Sequence, residues 1–119
     1  MLSKKVADRI NLQIDREMES AFLYLEMASR MVAEGYEGFA NWLTVQYHEE
    51  MFHAMKFARF LQDRGAAFAV PAIPKQEVKE TTIKALFERV LAHEKKVTAS
   101  INELYELALA EKDYPTQVL

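Results

Sequence analysis

Three helix-length stretches of this chain carry an apolar seam at helical spacing, and one acid breaks each seam near its middle. Residues recurring every three or four positions fall on one face of an α-helix, so such a seam has to pack against something. The first runs Ala7, Ile10, Ile14, Glu17, Ala21, Tyr24, Ala28, Met31. The second is Phe39, Leu43, Gln46, Glu50, His53, Phe57, Phe60, and the third is Ile83, Phe87, Val90, Glu94, Val97, Ile101, Leu104, Ala108. Within Gln46 to His53, Glu50 and His53 stand three residues apart, share a face and can reach one ion together.

Burying a bare carboxylate costs several kcal/mol even after relaxation, unless a partner offsets it. No Lys or Arg falls on any of the three seams. Acids at one level therefore lack an internal counter-charge, and a bound metal is its simplest source. The plainer reading has each acid protonated, water-linked or turned outward. That reading serves for one broken seam, and poorly for three matching ones beside a histidine.

Ser3 is a plausible N-cap for a first helix reaching about Ala33, with Gly35 available for a left-handed C-terminal cap. The short Gly35 to Gly38 connection turns the next helix back antiparallel, from about Glu37 to Arg64, where Gly65 ends it. Residues Ala66 to Lys79 contain Pro71 and Pro74 and no helical period, so they read as an extended loop. Such a loop covers about 50 Å, against roughly 40 Å for a helix of this size, so it can cross the whole bundle. Helices two and three are then parallel. Thr81 or Thr82 caps the third helix, which continues to about Glu111, and Asp113-Tyr114-Pro115 opens a fourth that has barely begun at Leu119.

The expected fold is all-α: a four-helix bundle with a long crossover between helices two and three, of which this chain supplies three helices and the start of the fourth. With 119 residues, half of them apolar, residues 1–119 read as one domain, C-terminally incomplete, whose open groove is covered by a second chain or by residues absent here. A net charge of -3 with scattered basic residues argues against nucleic acid or an anionic membrane as partner. The lack of cysteine fits a reducing cytoplasm. No apolar signal core follows Met1-Leu2-Ser3-Lys4-Lys5, and no stretch is apolar enough to span a bilayer.

Taken together, Glu17 and Tyr24, Glu49-Glu50-Met51-Phe52-His53, His93-Glu94, the Pro-containing crossover and Asp113-Tyr114-Pro115 make the whole chain resemble a bacterial non-haem ferritin. The resemblance implies a ferroxidase that oxidises Fe(II) with dioxygen or hydrogen peroxide at a di-iron site and stores the ferric product in a homo-oligomeric shell. It implies that Glu17, Glu50 and His53 hold one iron and that Glu50 bridges to a second held with Glu94. Tyr24 then lies beside the pair and can supply an electron, while Glu49 matches a ligand of a third, weaker site in some bacterial ferritins. The departure is the fourth helix, which in that family carries further ligands.

Other residues carry less. Glu49 points off the seam and also reads as a solvated acid; His48 and His93 read as surface or interface residues; Gln46 orients a ligand or is a plain buried amide. Met51 raises haem, because bacterioferritin holds haem between two methionines, but non-haem ferritins often have Met here too and a packing role is expected. The alternative function is a truncated helical module that self-associates and binds metal only structurally. A different carboxylate-bridged oxygenase is the weaker third reading, since that class generally shows two Glu-x-x-His repeats and this chain has one.

Overall fold

The computed structural model describes residues 2–119; Met1 lies outside them. Four helices follow in the order α1 (Lys4–Ala33), α2 (Glu37–Asp63), α3 (Ile83–Ala110) and α4 (Tyr114–Gln117). Side chains cap the starts of α1, α3 and α4, while Tyr36 before α2 makes no side-chain cap bond. Ser3 accepts from the Val6 amide, Thr82 from that of Ala85 and Asp113 from that of Thr116, each satisfying an amide that has no partner within its helix.

The three long helices end alike. The amides of Tyr36, Ala66 and Asp113 reach back to the carbonyls of Met31, Leu61 and Ala108 at 2.8, 2.9 and 2.8 Å. This paired cap needs a left-handed residue, supplied by Gly35 (φ 87°), Gly65 (φ 79°) and, for α3, by Lys112 (φ 56°). The third cap carries no glycine and was not legible as a turn of this kind.

The core lies along α1. One cluster joins Val6, Ile10, Ile14 and Met18 to Ala54, Ala58, Leu61 and Leu104; another joins Tyr24, Met27, Ala28 and Met31 to Ala40, Leu43, Val78, Leu86 and Val90. The start of α1 thus meets the ends of both α2 and α3, and its end meets their starts. Both partners run antiparallel to α1 and parallel to each other, as a crossover demands. Residues 64–82 make that crossing. Asn11 pins its start, accepting from the Ala69 amide at 3.1 Å and donating to the Ala67 carbonyl at 3.2 Å, and Arg89 pins its end on the Glu77 carbonyl and the Glu80 carboxylate.

The three seams are covered unequally. On α1 the seam from Ile10 to Met31 is buried throughout. On α3 the seam residues Ile83, Phe87 and Ile101 remain 40, 43 and 42% exposed, while Leu86 and Ser100, one position aside, are buried. On α2, His53, Phe57 and Phe60 give way in the same manner to Ala54, Ala58 and Leu61. The cause is geometric: α2 and α3 each pack on α1, so only the half of each seam turned toward α1 is covered. Between them the aromatic rings of Trp42 and Phe87, 6.4 Å apart, bridge an otherwise open face. Among the described residues, no helix is long and apolar enough to cross a membrane.

Candidate metal centre

A polar layer separates the two apolar clusters. It begins on α1 with Glu17, 1% exposed, and on α2 with Glu50, 6% exposed. Their Oε2 atoms lie 3.9 and 3.8 Å from Nδ1 of His53, and the three donors lie within 4.8 Å of one another. A transition-metal ion with bonds of about 2.1 Å holds its donors roughly 3 to 4 Å apart, so small side-chain rotations suffice to close around one. Neither Oε2 has a hydrogen-bond partner although both are buried. Orphaned carboxylate oxygens facing an imidazole suit a cation, and a carboxylate and imidazole donor set suits iron.

The electrostatics agree. Burial first, then the adjoining Glu17 carboxylate and the charges of Glu94 and Glu49, hold the Glu50 carboxyl well above the usual carboxylate range. A divalent ion between these oxygens removes the repulsion that forces the proton on.

Glu94, half-buried on α3, accepts a hydrogen bond from the hydroxyl of the fully buried Tyr24. Burial, and then the bond to Glu94, push the Tyr24 phenol far above its ordinary value, so it remains a donor. Glu94 therefore meets the layer through Tyr24 and stands outside the close Glu17, Glu50 and His53 group. Glu49 and His48 are exposed, Gln46 is half-buried, and Met51 packs against the cluster around Ala54 and Leu61.

His93, read from its off-seam position as a surface or interface residue, is half-buried and turned toward α1. Its Nε2 lies 2.6 Å from Ser20 Oγ, and its ring stands edge-on to Tyr24 with centroids 5.9 Å apart. Burial lowers its pKa, so the ring is neutral, and with Ser20 Oγ donating to the Arg16 carbonyl, Nε2–H is the donor in the pair.

Gln13 was missed. Its Nε2 donates to Glu17 Oε1 at 3.0 Å, which satisfies one oxygen of Glu17 by a hydrogen bond but brings no counter-charge. The available signal was its spacing: four residues before an acid on a helix places both side chains in reach.

The sequence pattern of the ferritin-like domain family matches residues 7–119. The chain is 39% identical over 117 residues to a bacterial non-heme ferritin of Bacteroides fragilis and 36% identical over 116 residues to one of Staphylococcus aureus, covering 98% of this chain and 74 and 70% of theirs. An open pore ferritin from the hyperthermophilic archaeon Archaeoglobus fulgidus superposes with a TM-score of 0.95 at 41% identity, covering 98% of this chain and 72% of the other. Chlorobium tepidum ferritin superposes at 0.94 with 32% identity over the same shares. The antiparallel packing on α1 and the crossover are thus those of a known architecture, and the chain belongs to the ferritin family.

Proposed function

We propose that this chain takes part in iron storage and acts as a ferroxidase, with Fe(II) as substrate. The observation that carries the reading is the pair of buried, unpartnered oxygens, Glu17 Oε2 and Glu50 Oε2, beside Nδ1 of His53. In this reading Glu17, Glu50 and His53 bind one ferrous ion, and Glu50 bridges to a second held with Glu94. Negative charge from the carboxylates favours the ferric product over the ferrous substrate, which lowers the cost of giving up an electron. Dioxygen or hydrogen peroxide accepts the electrons. Tyr24 holds Glu94 by a hydrogen bond and stands where it can pass an electron to the site. Glu49, exposed one residue from Glu50, is suited to a third and weaker iron position. The ferric product is kept as mineral in a homo-oligomeric shell, in the reducing cytoplasm where ferrous iron persists.

Anaerobic titration with ferrous iron followed by air tests this. Rapid ferric-oxo absorbance that saturates at about two irons per chain is expected. The exposure of Ile83, Phe87 and Ile101 favours the second reading, a module that self-associates through its open α2–α3 face. Association and helicity that ignore metal, together with no fast oxidation, would establish that reading in place of the first.

A further inference from the structure

The two oxygens of Glu17 have different surroundings. Oε2 faces His53 and Glu50 without a partner, whereas Oε1 accepts from Gln13 Nε2 at 3.0 Å. Gln13 is wholly buried, and which end of its amide is nitrogen is decided by its neighbours. The other end receives Arg9 Nη1 at 3.1 Å, and a guanidinium only donates. That end must be the oxygen, and the NH2 must point at Glu17.

The same logic extends outward to α3. Ser100 Oγ receives Arg16 Nη1 at 2.7 Å and Arg9 Nη2 at 3.1 Å, so its own hydrogen is directed to Gln13 Oε1 at 2.6 Å. Arg9 Nη2 also donates to the Ser100 carbonyl at 2.6 Å, and both guanidiniums approach Glu103 at 3.6 and 3.5 Å. Two arginines at the outer end thus set the direction of every donor down to Glu17. Arg9, Gln13 and Glu17 stand four apart on one face of α1, which keeps the links in line.

We propose that Gln13 is a positioning residue of the metal centre: by occupying Oε1 it presents Glu17 to the ion through Oε2 alone, and Arg9, Arg16 and Ser100 act through it. The inference rests on the reading of Glu17, Glu50 and His53 as metal ligands. Without the amide, Glu17 is free to turn and to bind through both oxygens or neither. Partners behind a ligand of this kind are worth about 10- to 100-fold in metal affinity.

The test uses cobalt(II), added without oxidant to the metal-free protein, with affinity read by calorimetry and ligand geometry by the visible d–d absorption. Gln13→Met, close in shape and lacking the donor, is expected to weaken the tighter cobalt site about 10- to 100-fold and to alter its d–d band while helical content stays that of the parent. Ser100→Ala, which leaves Gln13 in place, should weaken binding by a smaller factor, and Ser100→Thr, which restores a hydroxyl, should recover it. Parent-like affinity and spectrum in Gln13→Met overturn the proposal. If Gln13→Met does not fold, the Ser100 pair decides, and a parent-like Ser100→Ala overturns it. Failure of the underlying reading looks different: the parent binds no cobalt, or Glu17→Gln binds it as the parent does.

Discussion

Tyr24, fully buried on α1, donates its hydroxyl hydrogen bond to Glu94, half-buried on α3, and so ties the acid of the third helix to the core of the first. A hydrogen bond to a charged acceptor contributes about 1.5 to 3 kcal/mol when buried, and partial exposure of Glu94 lowers this. Tyr24→Phe is therefore expected to cost about 1 kcal/mol, seen as a lower urea midpoint at unchanged slope. An unchanged midpoint would mean that the bond contributes nothing to the fold.

Glu50, the proposed bridging ligand, also carries the raised carboxyl pKa of the polar layer. Its folded-state pKa is raised, by burial first and then by Glu17, above the ordinary 4.5. The metal-free fold thus keeps a proton that the unfolded chain releases, and the contribution is complete below pH 4.5 and lost as pH rises toward the raised value. Glu50→Gln, which needs no proton, should gain stability relative to the metal-free parent as pH increases. Denaturation of both proteins at several pH values above 4.5 checks this, and a constant difference refutes the sign. Glu50→Ala is expected to abolish fast iron oxidation with helical content nearly intact, in stopped-flow absorbance and circular dichroism.

Metal binding should reverse that destabilisation. An ion that binds only the folded site adds RT ln(1 + [L]/Kd), about 2.7 kcal/mol at a hundredfold excess over Kd. Cobalt and zinc should raise the melting temperature more than calcium, because His53 supplies an imidazole and calcium prefers oxygen. Equal shifts for calcium and zinc would remove the imidazole from the site.

Lys112 occupies a left-handed conformation (φ 56°) at the end of α3 where the two other long helices place glycine. A side chain there costs about 1 to 2 kcal/mol, partly offset by the greater freedom of an unfolded glycine. Lys112→Gly should therefore stabilise the chain by about 1 kcal/mol in chemical denaturation. A destabilised variant would show that the lysine side chain has a stabilising contact outweighing its backbone cost.

Periodicity, local chemistry and the length of the crossover were enough to determine the helices, the caps at Ser3, Gly35 and Gly65, the parallel course of α2 and α3 and the shared face of Glu50 and His53. The faces follow from short-range spacing, since a step of three or four residues places side chains on one side whatever the rest of the chain does, and the parallel course follows from the reach of the crossover. The tertiary structure alone decided which half of each seam is covered, Leu86 rather than Phe87 on α3, because the period marks a face while the neighbouring helix marks its centre. It also decided that His93 meets Ser20 and that Ser100 and Arg9 converge on Gln13. Contacts between α1 and α3 join residues far apart in the chain, and a single polar side chain facing another helix leaves no period to read. Gln13 could be paired with Glu17 from spacing, but the direction of its amide required the two arginines and the serine that surround it.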